Sequence, residues 1–249
     1  MAPQPTYVQN RDESDLVFSV CTLVRDQAQY DRLLESFERF GFTAENSEFL
    51  AADNRAGNQF DGFDWHKHMW PRARGRYVIF CHEDVELVDR GYGDLLAAIE
   101  ALEAADPDWL VAGIAGSPWR PLDHTATAQA LHISDIFGTD RRRGQVPCRV
   151  ESLDESFILM RRLKPVLNSY DLHGFHYYGA DLCLQAELLG GRSYAIDFHL
   201  LHKGKARADE TFAQIRNQFR QKYRRYFPGR IFHCVTGRVA FGGGWYDAT

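Results

Sequence analysis

Nowhere in the 249 residues do apolar side chains run on for the ~18 positions that a membrane-spanning helix needs. The polar start Met1 to Asp15 likewise lacks the apolar core of a secretory signal, so a cytoplasmic chain without a transmembrane segment is the expectation. Cysteine is sparse and unpatterned: five thiols with no C-x-x-C spacing argue against a zinc-thiolate centre. Cys21, Cys81 and Cys183 sit inside apolar patterns and are expected as small buried hydrophobes in a reducing compartment. Internal repeats, low-complexity tracts and strong linkers are also missing, which favours one large domain. Neither sign of charge dominates. The net charge is −5, but Lys203 to Arg230 holds nine Lys/Arg against Asp209 and Glu210, a net +7, leaving 20 basic against 32 acidic residues elsewhere, a net −12. That segment can face the acidic body or an anionic partner, and no nucleic-acid partner is expected.

What is present is an ordinary globular composition, 45% hydrophobic and 25% charged, with strands and helices alternating. Tyr77 to Cys81 is a five-residue apolar run suited to a strand buried on both faces, and it stops in His82-Glu83-Asp84. In open α/β sheets such carboxyl ends face the ligand crevice, so a metal or a diphosphate can meet the chain there. Before it, Asp15 to Val24 reads as a strand, Tyr30 to Phe37 as a helix ended by Gly41, and Glu48 to Ala52 as a second strand running into the turn-forming Asp53 to Asn58. Phe60 to Arg74 is expected as a helix stopping near Pro71. Leu95 to Leu102 follows as a helix and Trp109 to Ile114 as a buried strand. Trp119 to Val150 breaks the rhythm as a loop-rich excursion or hairpin. Phe157 to Met160 is a further strand, Ala180 to Leu189 a helix capped by Gly190-Gly191, and Ser193 to Asp197 leads to Leu200-Leu201-His202. Phe212, Ile215, Phe219, Tyr223 and Tyr226 stripe one face of a last long helix.

Phe80-Cys-His-Glu-Asp-Val85, Val111-Ala-Gly-Ile-Ala-Gly116, Glu151-Ser-Leu-Asp-Glu155 and Gly174-Phe-His-Tyr-Tyr-Gly-Ala-Asp-Leu-Cys183 resemble, in order and spacing from Leu16 to Gly204, the glycosyltransferases of the GT-A fold. More narrowly they look like the streptomycin-biosynthesis-type branch of glycosyltransferase family 2. The resemblance implies an α/β, Rossmann-like single domain, a mostly parallel mixed sheet sandwiched by helices. It places the glycosyltransferase-like domain over 15–204; the residues outside it read as a polar tail over 1–14 and a C-terminal amphipathic basic helix and tail over 205–249, packed on the domain or a partner subunit. The activity implied is hexosyltransferase-like transfer of a sugar from a nucleotide-diphosphate sugar to an acceptor hydroxyl, with Mn²⁺ or Mg²⁺ at the donor diphosphate. In such a family Asp84 and His202 hold the metal; one carboxylate with an imidazole suits Mn²⁺ better than Mg²⁺. Asp53 and Asn54 meet the base or ribose, and Asp181 takes the acceptor proton. The family's Asp-x-Asp is His82-Glu83-Asp84 here, and its Glu-Asp pair is Ala180-Asp181.

Bland readings stand beside these. His82 and Glu83 belong to the donor end of the crevice, where His82 either orients Asp84 or caps the strand. Glu155 is an acceptor-side acid or a solvated turn residue. Tyr178, with Phe175, His176 and Tyr177, either stacks on a sugar or packs a loop over the core. His66 and His68, two apart on a helix, point to opposite sides and make no joint ligand pair. The last helix is a solvated surface element, a homodimer contact or a seat on anionic lipid; no lipidation motif supports the last. The rival functions are a catalytically silent nucleotide-sugar or glycan-binding module and a metal-dependent hydrolase built on His82, Asp84 and His202.

Overall fold

The computed structural model describes residues 14–119, 130–135, 137, 139–204 and 210–242. The expected N-terminal tail, apart from Ser14, lies outside the described residues, as do 205–209 and 243–249 of the C-terminal region.

The chain opens β1 (Phe18–Val24), α1 (Gln27–Arg39), β2 (Ser47–Asp53), a β-α-β unit with parallel pairing of β1 and β2. Asp26 starts α1 by accepting from the amides of Ala28 and Gln29, and Tyr30, Leu33 and Phe37 turn one face inward. Gly41, at φ +90°, adopts the left-handed conformation that ends it. Next come α2 (Trp65–Met69), a 3-10 turn Trp70–Arg72, β3 (Tyr77–His82), β4 (Val85–Leu87), α3 (Tyr92–Ala105), β5 (Trp109–Gly113) and β6 (Ala115–Pro118). Then follow β7 (Ala130–Ser134), β8 (Asp140–Arg143), β9 (Cys148–Leu153), β10 (Phe157–Arg161), α4 (Tyr178–Leu188), β11 (Arg192–Ala195), β12 (Leu200–His202), α5 (Glu210–Tyr223), β13 (Ile231–Cys234) and β14 (Gly237–Ala240).

Twelve strands form one mixed sheet in the order β2-β1-β3-β10-β5-β11-β9-β6-β7-β12-β4, with β8 on β7, and β13-β14 is a separate hairpin. β3 lies between parallel β1 and antiparallel β10. Its side chains alternate between two cores: Tyr77, Ile79 and Cys81 join Leu33, Phe37, Leu95 and Ile99 of α1 and α3, while Val78 and Phe80 join Trp65, Leu182 and Phe219 of α2, α4 and α5. The sheet is thus sandwiched by helices. Only Glu83 and Asp84 separate β3, near one end of the strand order, from β4 at the other. Two residues reach only about 7–10 Å, so the sheet curls until its far edge lies across the end of β3.

The expected helix over Phe60 to Arg74 shrinks to five residues and the 3-10 turn. Polar side chains claim the preceding backbone: Asn54 Oδ1 accepts from the amides of Gln59 and Phe60, and Asp61 Oδ1 from those of Phe63 and Asp64. Of the expected excursion from Trp119 to Val150, residues 120–129 lie outside the described residues, and β7 and β8 form an antiparallel hairpin. On α5, Ile215, Phe219 and Tyr223 are buried against Tyr177, Phe232 and Phe241 of the same chain. Of the two covers open to this stripe, the body or a second subunit, the chain's own body supplies it, while Tyr226 stays exposed. All five thiols are free, and Cys21, Cys81 and Cys183 are buried. No helix among the described residues is long and apolar enough to cross a membrane.

Phe219 is fully buried in this seam. Phe219→Ala is expected to lower stability by about 3–5 kcal/mol, read as a reduced urea midpoint with unchanged m-value. A loss below about 0.5 kcal/mol would mean that α5 does not dock.

Candidate functional site

At the end of β3 the backbone is pinned from three sides. The amide of His82 donates to Ser156 O (3.1 Å), bringing the turn before β10 alongside. Glu83 Oε2 accepts from the amides of Arg25 (2.5 Å) and Asp26 (2.9 Å), so this carboxylate clamps the β1–α1 turn. Antiparallel pairing of β4 with β12 sets Val85 opposite His202, and the amide of Lys203 donates to Asp84 O (3.0 Å). Register alone therefore brings together two side chains 118 positions apart.

His202 Nε2 stands 3.4 Å from Asp84 Oδ1 and 3.4 Å from His82 Nδ1, and His82 Nδ1 is 4.0 Å from Asp84 Oδ1. Asp84 Oδ1 is buried without a hydrogen-bond partner. A Cβ added at Gly204 would stand 2.6 Å from Asp84 Oδ2 and 2.8 Å from His202 Nε2, so glycine keeps one side of the cluster clear. These three side chains form a set able to hold a metal ion. Two imidazoles and an unmet carboxylate oxygen fit Mn²⁺ better than Mg²⁺, which prefers all-oxygen shells. Burial alone would raise the carboxyl of Asp84, but the pairing with His202 and the field of both imidazoles hold it below the usual range. His82 is pushed down by burial and by His202. For His202 burial acts downward, and Asp84 with Asp154 and Glu155 overcomes it, leaving the imidazole raised.

His82 Nε2 meets the hydroxyl of Tyr178 at 2.6 Å. Tyr178 is the first residue of α4, and the residue before it, Tyr177, has φ +67°, a left-handed conformation that strains a bulky side chain by roughly 1–3 kcal/mol. Phe212 and Phe219 of α5 pack on the Tyr177 ring at 5.3 and 5.2 Å and hold it there. Tyr177 and Tyr178 are buried and His176 packs on Phe212, so of the expected sugar-stacking set only Phe175 is exposed. Glu155 lies over the start of α4, its Oε1 3.4 Å from the amide of Gly179. Burial, reinforced by Asp154, lifts its carboxyl to about 8.

Asp181, expected to face the crevice, is fully enclosed. Its Oδ2 accepts from the amide of Ser169 (2.7 Å) and from Asn168 Nδ2 (3.0 Å), and its Oδ1 from the hydroxyls of Ser169 (2.6 Å) and Tyr223. Burial raises its pKa against all four donors. α4 is buried nearly all round, so the carboxylate turns into the body and ties α4 to the 168–169 loop and to α5.

Asp53 ends β2 with both oxygens on Arg55 at 2.9 Å, which holds its carboxyl down to about 2. Asn54 is buried, its Nδ2 on Phe60 O (2.8 Å) and its Oδ1 on two amides, so it shapes the loop instead of reaching outward. Between these strand ends an open cleft of about 580 Å³ is lined by Arg25, Gln29, Asn54, Arg55 and Glu83, among others. Arg25 escaped notice in the sequence, although its place just past β1 is the same strand-end signal that marked Asp84. His66 is buried against Phe80 and Trp65, whereas His68 sits on Phe60, so the two do not meet.

Comparison with known proteins gives three findings. No family model matches the chain. The protein called "ATP synthase subunits region ORF 6" of Fuscovulum blasticum is 79% identical over 248 residues, covering all of both chains. Among solved structures, the mannosyltransferase PcManGT from Pyrobaculum calidifontis, in complex with GDP-Man and Mn²⁺, aligns with a TM-score of 0.50 at 13% identity, over 88% of this chain and 65% of that one. TarS of S. aureus aligns with a TM-score of 0.49 at 13% identity, over 84% of this chain and 40% of that one. The likeness to the mannosyltransferase is one of fold, and the architecture is GT-A, Rossmann-like.

Two outcomes follow from the carboxylates. Asp181→Asn leaves buried donors unmet and is expected to cost about 2–4 kcal/mol in urea unfolding; a cost below about 0.5 kcal/mol would show the tether idle. Glu155 holds its proton more tightly folded than unfolded, so its contribution to stability is complete below pH 4.5 and is lost as pH rises through about 8. Glu155→Gln should flatten that window in a pH series of unfolding midpoints, and parallel wild-type and variant curves would contradict the raised pKa.

Proposed function

Because the chain belongs to the family of the "ATP synthase subunits region ORF 6" protein of Fuscovulum blasticum, whose name states no chemistry, we propose its activity from the site: a glycosyltransferase that moves a sugar from a nucleotide-diphosphate sugar to an acceptor hydroxyl. The observation that carries this reading is the convergence of Asp84 Oδ1, buried and without a hydrogen bond, with two imidazoles at the carboxyl ends of β3 and β12. A GT-A fold and a cleft with Arg25 and Arg55 beside that cluster support it.

In this reading Arg25 and Arg55 supply positive charge for the diphosphate, and Asp53 accepts from the ribose hydroxyls. Glu83 holds the β1–α1 turn that forms one wall of the cleft, and Asn54 holds the other. His82, Asp84 and His202 would bind a divalent cation, manganese by preference, which when bound neutralises charge on the departing diphosphate. Tyr178 fixes the His82 ring through Nε2, so that Nδ1 points at Asp84 and His202. Of the two carboxylates expected to act on the acceptor, Asp181 has no exposed oxygen, and Glu155 takes the hydroxyl proton. A base near 8 retains the proton it receives, and the ionised fraction that can act grows as pH rises toward about 8.

Residues 15–204 form the catalytic body in this proposal, and α5 with the β13–β14 hairpin secures α4 from behind. The quoted motifs support the streptomycin-biosynthesis-type branch and a hexosyl donor, and five free thiols support a cytoplasmic setting.

The test is thermal-shift screening of a nucleotide-sugar panel that includes GDP-mannose, with and without Mn²⁺. A donor at ~100 times its Kd should stabilise the wild type by about 2.7 kcal/mol in the presence of Mn²⁺, and Asp84→Asn and His202→Ala should lose that shift. With a donor in hand, Glu155→Gln should reduce transfer by about 10²- to 10⁴-fold while donor affinity is kept. A shift that survives both ligand substitutions, or full transfer by Glu155→Gln, would overturn the assignment.

A further inference from the structure

A second group of titratable side chains lies on β7, β8 and the approach to β12, away from His82 and Asp84. His132 and His199 are both buried, their rings stacked at 4.2 Å between centroids with planes 3° apart. Each ring nitrogen Nδ1 meets a carboxylate: His132 with Asp197 Oδ1 at 2.9 Å and His199 with Asp89 Oδ1 at 2.8 Å. A carboxylate at Nδ1 fixes the proton there and leaves Nε2 as a lone-pair donor, the arrangement that orients metal-binding histidines. Both Nε2 atoms converge on one oxygen, Asp140 Oδ1, at 3.5 Å from His132 and 3.9 Å from His199. Ser134 Oγ lies 2.8 Å from His199 Nε2 and completes the rim.

We propose that His132, His199 and Asp140 form a second divalent-cation site, of the zinc type, that fastens the β7–β8 hairpin to the segment entering β12. The donor set is two imidazole nitrogens and one carboxylate oxygen, with Ser134 or a water for a fourth position, which suits tetrahedral Zn²⁺. Charge agrees: Asp89, Asp140 and Asp197 bring three negative charges, while Arg142, 3.0 Å from Asp197, and Arg90, 4.0 Å from it, bring two positive ones. Parallel rings aim their lone pairs side by side, so coordination turns each ring about its Cβ–Cγ bond toward a common point. That torsion is soft, and the exposed carboxylates of Asp89 and Asp140 can follow. His199 precedes His202 by three residues, so an ion here stiffens the strand that presents His202 to the donor cluster.

The experiment uses the full chain carrying Asp84→Asn and His202→Gln, which removes the donor cluster and makes the result independent of the proposed transferase activity. Stripped of metal and titrated with Co²⁺, this protein should bind one equivalent with the intense visible band of a tetrahedral site, and Zn²⁺ should displace it. Asp140→Asn, at an exposed position that leaves the fold intact, should weaken Co²⁺ binding at least ~10-fold, and Asp197→Asn by ~10- to 100-fold through the His132 ring. Absence of Co²⁺ binding in the parent, or affinity unchanged by Asp140→Asn, would overturn the site.

Discussion

The crossing from β3 to β4 in two residues is the constraint from which the rest of the molecule follows. Glu83 and Asp84 leave no slack, so the sheet closes on itself and β12, paired to β4, is delivered to the end of β3. Each residue of the crossing then has one task. Glu83 reaches back to the β1–α1 amides, and Asp84 sets Oδ1 against the imidazoles of His202 and His82 with no hydrogen bond of its own. A carboxylate oxygen held by imidazole charge at 3.4 Å but by no hydrogen bond keeps free lone pairs, and at a strand end these suit a bound cation.

Around that point the environment divides four carboxylates into different roles. Asp84, against two imidazoles, is held ionised; Glu155, a short way off over the start of α4, is driven to about 8 by burial and by Asp154. Two carboxyl groups pushed apart in this way would suit the separate duties proposed for them, one for charge and one for a proton. Asp53 is fixed by Arg55 at the cleft rim. Asp181 is the structural member. Through Ser169 and Tyr223 it joins α4 to α5, and α5 in turn holds Tyr177 in its strained conformation so that Tyr178 can reach His82.

How much of this could be read beforehand depended on whether the signal was local. β3 was legible from five consecutive apolar residues, and α1 from its periodicity and Gly41. The stripe of Ile215, Phe219 and Tyr223 was legible too, but not what covers it, because the β13–β14 hairpin shows no pattern of its own. β4 and β12 are three residues each, too short for any period to show, yet their register sets Asp84 beside His202. Asp84 was marked by its strand end and His202 by a resemblance, whereas the distances of His82 Nδ1 to both needed coordinates. For Asp181 the resemblance pointed to the crevice and the first-turn position only to a helix-end carboxylate; its burial against Ser169 and Tyr223 could not be read from either. The second histidine cluster draws on Asp89, His132, Asp140, Asp197 and His199, spread over more than a hundred positions, and no spacing rule joins them.

The central claim is that the curl of the sheet builds a cation site from Asp84 and imidazole at which a nucleoside diphosphate is held. Pulsed electron paramagnetic resonance of Mn²⁺ bound to the protein with a nucleoside diphosphate tests it directly. The account predicts hyperfine coupling to both imidazole nitrogen and phosphorus, with the nitrogen coupling reduced in His202→Ala. Phosphorus coupling without nitrogen, or a nitrogen signal unchanged by that substitution, would contradict it.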